Sequence, residues 1–344
     1  MSGKKLIVHP GTHKTGTSSI QDYLFHTRDE AEHTYLNSGI PNSSMWINQA
    51  FEPGKSPQVR DHARNKLQEA IEKSNTDIDI ISAESISKLN RENTLELYNF
   101  FKPYYSKIVV HIFFRPMKSR MESAFQERQK QSFRPLNEKY NFSYAIRLNI
   151  LDDVFESQNV FAHKYDKSLF PNGDVVRYFM DKAELPWRDA DVPSSNFSLS
   201  KEAIQLLYIY RKFHRDFKPE DKTLLSELRQ LKGEKLHFHS ELYRELLISG
   251  EHAVQRFEDR AGFSIEEDIT AYDTNALRNE EDILRVSPST IDWLMEKLAL
   301  SQSEHNIQCD DLQSIADAVG RLKGEPSPTQ LGSFFKKIVG KLKI

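Results

Sequence analysis

A glycine-containing loop near the start of the chain has the residues best suited to bind an anion. It spans residues 11–19, follows the apolar run Leu6-Ile7-Val8 and precedes a helical pattern that begins at Ile20. Backbone N–H groups at the start of a helix have no partner within that helix, and the helix dipole adds positive potential there. A strand that turns through glycines into a helix therefore predicts an anion site, to which Lys14 adds a cation.

A second candidate site follows the apolar run 108–114. Arg115 ends this run, Pro116 suits the first position of a helix, and Ser123 comes eight residues after Arg115, about two helical turns along. An arginine at a strand end and a serine on the following helix can bind one phosphate group together. Ser119 lies one turn earlier on the same face and is the rival for the serine role.

The two sites together resemble a known family. In nucleotide triphosphatases a lysine follows the second glycine of the loop, whereas here Thr17 follows Gly16, and Lys14 lies two residues before Gly16. The order Lys-Thr-Gly-Thr-Ser resembles the 5′-phosphosulfate loop of sulfotransferases that use 3′-phosphoadenosine 5′-phosphosulfate (PAPS). Arg115 and Ser123 match the pair that binds the 3′-phosphate of PAPS in that family. The resemblance extends over about residues 5–185, and segments 161–166 and 195–200 are similar to bacterial and carbohydrate-type members.

The resemblance implies an enzyme that moves a sulfuryl group from PAPS, as co-substrate, to a hydroxyl or amine of a carbohydrate-like or glycolipid acceptor. Transfer is in line and needs no metal. Lys14 is then the cation near the bridging oxygen, where charge develops in the transition state. The donors to the 5′-phosphate are Thr15, Gly16, Thr17 and Ser18.

The general base has two candidates. Glu84 ends a predicted strand, and related carbohydrate sulfotransferases have a glutamate at a similar place; a helix cap is the equal alternative for this residue. His13 is next to Lys14 and is the other candidate.

The family's Arg-Lys-Gly loop is missing, because Arg321-Leu322-Lys323-Gly324 lies too late and has a different order.

Two other functions remain open at this point. An ATP-dependent small-molecule kinase on a P-loop scaffold would need magnesium and ATP, and the missing Gly-Lys-Ser/Thr order disfavours it. A nucleotide-bound scaffold without catalysis would bind the bisphosphate and transfer nothing.

Strand and helix patterns alternate in the first half of the chain. Predicted strands at 5–9, 78–83, 108–114 and 159–165 alternate with helical patterns, including 117–131 and 174–183. This predicts an α/β fold with a three-layer parallel sheet, a P-loop-like nucleotide-binding core and a mostly helical C-terminal half. The expected division is a PAPS-binding core at 1–197, a helical region packed on it at 198–323, and a linker with a basic amphipathic helix at 324–344.

Composition limits the cellular setting. The 344 residues carry a formal net charge of −3, which argues against a nucleic-acid-coating protein. The single cysteine, Cys309, suits a reducing compartment, and no apolar run is long enough for a signal peptide or a membrane span. We therefore expect a cytoplasmic protein, either free or at the inner face of the membrane. The pair His237 and His239 lacks a third ligand, so no metal site is expected.

Two surfaces are candidates for contact with other molecules. The acceptor groove is expected along residues 118–139, whose alternative interpretation is a solvated helix face, with aromatic walls at Tyr35, Trp46, Phe51, Phe133 and Tyr140. Tyr35, Trp46 and Phe51 are expected in a loop-like stretch after the first helix. Residues 330–344 either dock on protein, including a second copy of the chain, or lie on an anionic membrane.

Overall fold

Five parallel strands form one sheet in the computed structural model, which describes residues 3–12, 14–29, 32–190, 198–248, 251–298 and 307–323. The strand order is β2-β3-β1-β4-β5. The strands are β1 (Lys5–Pro10), β2 (Thr34–Tyr35), β3 (Ile78–Ala83), β4 (Lys107–Phe114) and β5 (Val160–Lys164). Because every pair is parallel, all the carboxyl ends lie at one edge of the sheet.

Helices connect these strands and make up the later part of the chain. The helices up to residue 190 are α1 (Thr17–His26), α2 (Ser44–Phe51), α3 (Pro57–Lys73), α4 (Arg91–Phe101), α5 (Met117–Gln131), α6 (Tyr144–Phe155) and α7 (Val175–Lys182). The later helices are α8 (Lys201–Phe213), α9 (Asp221–Leu228), α10 (Ser240–Leu246), α11 (Glu251–Ala261), α12 (Glu280–Leu284), α13 (Pro288–Lys297) and α14 (Leu312–Arg321).

The chain divides into two compact units. The first comprises Met1–Arg120, Tyr140–Asn196 and Ile248–Glu267, and it contains the sheet. The second comprises Met121–Lys139, Phe197–Leu247 and Asp268–Ile344.

Apolar side chains cover both faces of the sheet. On one face Ile7, Ile80 and Phe113 belong to a buried cluster with residues of α1 and α7. On the other face the Phe114 ring packs 5.1 Å from Tyr144 of α6 and 4.7 Å from Phe257 of α11. Strands buried on both faces are nearly continuous in Val, Ile and Phe, which is the pattern that identified them in the sequence.

The predicted α/β fold with a parallel sheet is confirmed. The four predicted strands are present with ends that shift by a residue at most, and the helix predicted at 117–131 is α5. The two-residue strand β2 and the helix α6 were not predicted.

The expectation of a loop-like stretch after the first helix is wrong. Trp46 and Phe51 belong to α2, and Tyr35 belongs to β2. Tyr35 and Phe51 are 3% and 0% exposed, so they are core residues and not walls of a groove. Helices of eight residues, such as α2, are too short for a clear hydrophobic period.

The second unit is helical, as its sequence predicts. Its helices include α8, α10 and α13, and α8 is buried along most of its length. An ion pair holds its core: Arg211 Nη1 lies 2.7 Å from Asp221 Oδ2, and both side chains are fully buried. Lys323 Nζ also lies 3.0 Å from Asp221 Oδ1.

None of the helices in the described ranges is long and apolar enough to cross a bilayer. The amphipathic segment 330–344 and its linker lie outside the described residues.

Candidate anion-binding site at the carboxyl edge of the sheet

The loop between β1 and α1 has a backbone that requires glycine at two places. A Cβ on Gly11 would lie 2.2 Å from Thr17 Cγ2, so only glycine lets the loop close against the start of α1. Gly16 has a φ of +72°, and a Cβ there would also lie 2.6 Å from Val175 Cγ1. Lys14 has a φ of 64°, which is uncommon for a residue with a side chain. The loop is therefore held in one tight conformation.

Threonine hydroxyls stabilise this loop from inside. Thr15 Oγ1 donates to the Thr12 carbonyl at 2.8 Å, and Thr12 Oγ1 donates to the Phe113 carbonyl at 2.6 Å. Thr17 Oγ1 also reaches the Thr12 carbonyl, at 3.4 Å. Thr15 and Thr17 are at most 2% exposed. Their hydroxyls thus position the loop, and any contact they make with an anion would come from their backbone amides.

The start of α1 has neither a side-chain cap nor an acidic residue. Gly16, at its N-cap, has no side chain to cap the helix, and the first turn contains no acidic residue. Amides of the first turn therefore project from the helix end, where the dipole favours negative charge. Ser18 lies in this turn and is half-buried.

Arg115 contacts the loop directly. Its Nη1 donates to the Lys14 carbonyl at 3.2 Å, and its Nε donates to Ser119 Oγ at 3.2 Å. The guanidinium also lies 5.6 Å from the centre of the Tyr165 ring. The structure thus brings together Lys14 and Arg115, which are 101 residues apart in the chain.

Ser119 and Ser123 have different surroundings. Ser119 accepts the bond from Arg115 and donates to the Pro116 carbonyl at 3.1 Å. Ser123 is half-buried on the part of α5 that belongs to the second unit. Of the two candidates, Ser119 is the one bonded to Arg115. Pro116 was expected at the first position of the helix, but α5 begins one residue later, at Met117.

Glu84 follows β3 at the same edge of the sheet. Its neighbour Ala83 is the register partner of Pro10 at the end of β1, so Glu84 and the loop leave the sheet side by side. Glu84 is half-buried and begins a 3-10 turn that ends at Lys88. Ser85, the next residue, donates from its amide to Ser44 Oγ of α2 at 3.2 Å. Ala83, not Glu84, is the N-cap of this turn, which has no side-chain cap hydrogen bond, so the expected cap role of Glu84 is reduced to an acidic residue in the first turn. The base role stays a prediction. His13, the other candidate base, lies outside the described residues.

Three buried histidines lie beneath the site on the α7 side of the sheet. Burial lowers the pKa of His9 and His111 to about 3 and that of His163 to about 4. His9 Nδ1 bonds Ser82 Oγ at 2.8 Å, and His111 Nδ1 bonds His163 Nε2 at 3.1 Å. All three are neutral at pH 7, so they are part of the apolar core under the loop.

Tyr165 is a site residue that sequence reasoning missed. It follows β5, and its Cε2 would lie 3.3 Å from a Cβ on Gly16. Its ring therefore lies beside both the loop and Arg115. Two sequence signals pointed to it: it lies in segment 161–166, which resembles bacterial and carbohydrate-type sulfotransferases, and it ends the predicted strand 159–165, at the edge where parallel sheets place functional residues.

The remaining candidates have structural partners. Tyr140 is 3% exposed, and Phe133 packs 5.3 Å from Tyr208. Lys118 and Glu122 are buried as well, so this part of the predicted groove is not a fully solvated helix face.

The two histidines of the later segment pair with acids. His237 lies 3.3 Å from Glu122, and His239 lies 3.5 Å from Asp273. Across the part of the chain that the structure describes, no group of three His, Cys, Asp or Glu side chains is arranged to hold a metal ion.

Comparisons with known proteins add little to this geometry. No protein-family model matches the chain, and no solved structure matches it. A 114-residue stretch is 29% identical to an uncharacterized protein of Archaeoglobus fulgidus. The match covers 32% of this chain and 31% of that protein, so the chain spans about a third of the length of the relative.

Proposed function

We propose that this chain is a PAPS-dependent sulfotransferase of the bacterial or carbohydrate type. The observation that supports the proposal is the contact between Arg115 and the loop: its guanidinium donates to the carbonyl of Lys14 at 3.2 Å. A nucleotide with phosphates at both its 5′ and 3′ positions needs two cationic groups at one sheet edge. Lys14 and Arg115 would supply them.

A P-loop-like core is part of the same proposal. The loop leaves β1, the central strand of the order β2-β3-β1-β4-β5, and enters α1 directly. β2 and β3 lie on one side of β1, and β4 and β5 lie on the other, so the strand order reverses at β1. In open parallel sheets, ligands bind outside the carboxyl ends of the strands at such a point. Lys14, Glu84 and Arg115 follow the three adjacent strands β1, β3 and β4.

The 5′-phosphosulfate would bind at the start of α1. Amides of Gly16, Thr17 and Ser18 would donate to it, and the Lys14 ammonium would lie near the oxygen that bridges phosphorus and sulfur. Arg115 and Ser119 would contact the 3′-phosphate, with Ser123 as the alternative. Because a sulfuryl group carries less charge than a phosphoryl group, one lysine and these amides suffice without a metal.

The reaction would proceed by in-line displacement at sulfur. An acceptor oxygen or nitrogen forms its bond to sulfur while the bond from sulfur to the bridging oxygen breaks, and adenosine 3′,5′-bisphosphate leaves. Lys14 stabilises the charge that develops on the bridging oxygen. Glu84 takes the proton of the acceptor group. Positioning and charge stabilisation provide most of the rate, as in phosphoryl transfer.

The acceptor we propose is a carbohydrate-like or glycolipid hydroxyl or amine, and the setting we propose is the cytoplasm or the inner face of a membrane. Glu84, which follows β3 at the carboxyl edge of the sheet, is the residue proposed to contact this acceptor.

Sulfur-labelled PAPS tests the proposal. The protein is incubated with the label and with fractionated glycans and glycolipids, with and without EDTA. We expect label to move to an acceptor fraction in both conditions, and Lys14→Ala to abolish the transfer. If the wild-type protein labels no fraction yet consumes ATP when magnesium is present, the chain is a kinase. If it binds the bisphosphate and transfers nothing, it is a non-catalytic scaffold.

A further inference from the structure

Glu267 supplies an internal anion beside the candidate phosphate site. Its Oε1 accepts from the backbone amide of Ser119 at 2.8 Å, within the first turn of α5. That turn has no acidic residue of its own, and the residue before the helix, Pro116, has no side chain that can cap it. Glu267 is 148 residues away in sequence, so this contact depends on the tertiary fold.

The same place contains the cations that a phosphate would need. Arg115 Nε donates to Ser119 Oγ, so the guanidinium binds the hydroxyl of the same residue whose backbone amide binds the carboxylate. Arg120 stacks on the Tyr144 ring at 4.8 Å, and Tyr144 Oη donates to the Arg115 carbonyl at 2.7 Å. Burial raises the pKa of Tyr144, the nearby charges of Arg120 and Arg115 lower it, and that of Glu267 raises it. Arg115, Arg120 and Glu267 are therefore all close enough to Tyr144 to affect its pKa.

The backbone that carries Glu267 is fixed in place. Ile265 is 2% exposed, and its amide donates to Glu258 Oε1 at 2.6 Å. Lys164, the last residue of β5, donates from Nζ to the Glu266 carbonyl at 3.3 Å. Because the two residues before Glu267 are anchored, we expect Glu267 to leave Ser119 by rotation of its side chain.

We propose that the Glu267 carboxylate competes with the 3′-phosphate of the nucleotide for the start of α5. The proposal rests on the proposed function and concerns the same site. A phosphate that binds Arg115 and the Ser119 amide must displace the carboxylate, because two anions at hydrogen-bond distance from one donor repel each other strongly in a half-buried site. Glu267 thus stabilises the empty site and weakens the binding of every ligand that has a 3′-phosphate.

Calorimetric titration with adenosine 3′,5′-bisphosphate tests the competition. Glu267→Gln keeps an oxygen that can accept from Ser119 but removes the charge, and Glu266→Gln is the matched control because that neighbour is exposed. We expect Glu267→Gln to bind the bisphosphate roughly threefold to tenfold more tightly, which is the size of a charge effect at a helix start. Glu266→Gln should bind as the wild type does. The ligand-free Glu267→Gln protein should melt at a lower temperature, because α5 loses its stabilising charge.

Each other outcome overturns the inference. Equal affinity in the three proteins means that Glu267 only caps α5, and the proposed function stands. Weaker binding by Glu267→Gln means that the carboxylate supports the site. If none of the three proteins binds the bisphosphate, the proposed function fails and this inference fails with it.

Discussion

At the scale of single residues, the loop after β1 depends on backbone conformations that few side chains tolerate. Lys14 and Gly16 both have a positive φ, and two residues separate the ammonium from the start of α1. For Lys14 such a backbone costs about 1–2 kcal/mol. The Arg115 bond to the Lys14 carbonyl offsets part of this cost, because it fixes the orientation of that peptide.

Gly16→Ala should destabilise the protein more than Gly54→Ala does. Both glycines have a positive φ, at +72° and +80°, so both substitutions incur the same backbone cost. A Cβ at Gly54 meets nothing within 4 Å, whereas one at Gly16 meets Val175 Cγ1 at 2.6 Å. We expect Gly16→Ala to lose about 1–3 kcal/mol more in urea unfolding, the usual cost of overpacking. Equal losses would contradict the close packing described for this loop.

The residues of the candidate site were predictable to different degrees. Lys14, Glu84 and Arg115 each follow a long apolar strand, and parallel strands bring their carboxyl ends to one edge. Tyr165 and Glu267 join them through contacts over long sequence distances. Nothing local in the sequence marks Glu267, because it belongs to neither a strand nor a helix and lies 148 residues from its partner Ser119.

At the scale of elements, the strands were predictable because each is a run of β-branched and aromatic residues. β2 has only two residues, and its pairing with β3 holds it in the sheet. α6 was missed because its buried residues are spread around the helix, including Tyr144, Ala145, Leu148 and Leu151, and give no clear polar face. Packing against β4 and α11 stabilises such a helix, and this packing cannot be seen locally.

The histidines of β1, β4 and β5 should make the protein sensitive to acid. Folding lowers the pKa of His9 and His111 from 6.5 to about 3, so the unfolded chain binds more protons between those values. The free energy of unfolding is therefore highest above pH 6.5 and falls as the pH drops toward 3. The loss approaches about 1.4 kcal/mol per pH unit for each histidine.

Urea unfolding at pH 7.5, 6.0 and 5.0 measures this slope. His163→Phe removes one of the three titrating groups and keeps a ring of similar shape, so the fall between pH 6.0 and 5.0 should become smaller. A free energy of unfolding that stays constant from pH 7.5 to 5.0 in the wild-type protein would show that these histidines are not buried in their neutral form.

The ion pair between α8 and the start of α9 should be essential to the second unit. Asp221→Asn leaves Arg211 fully buried without its carboxylate, which costs about 3–5 kcal/mol when one partner of a buried pair is removed. Glu245→Gln is the control, because Glu245 pairs with Lys139 at the surface, with 63% of its side chain exposed. It should cost less than about 1 kcal/mol. Similar losses in the two variants would contradict the structural role of Asp221.

At the scale of the whole molecule, a ligand that bridges the β1 loop and Arg115 would join elements that are far apart in the chain. Binding only to the folded state raises the melting temperature with ligand concentration. We expect adenosine 3′,5′-bisphosphate to stabilise the wild-type protein in the presence of EDTA, and the Lys14→Ala protein less. A shift that appears only with magnesium and ATP would favour a kinase.

The proposed function requires the loop and Arg115 to hold the two phosphorylated ends of one nucleotide. Calorimetry with adenosine 3′,5′-bisphosphate and with adenosine 5′-monophosphate measures the contribution of the 3′-phosphate as a ratio of affinities. Loss of the Arg115 contact with Lys14 should weaken the binding of both ligands by the same factor. The ratio of affinities therefore reports only the contact with the 3′-phosphate. We predict a ratio of at least about tenfold in the wild-type protein, since a charged hydrogen bond contributes about 1.5–3 kcal/mol. We also predict that the ratio falls close to one in Arg115→Ala and is kept in Lys14→Ala. An unchanged ratio in Arg115→Ala would contradict the account.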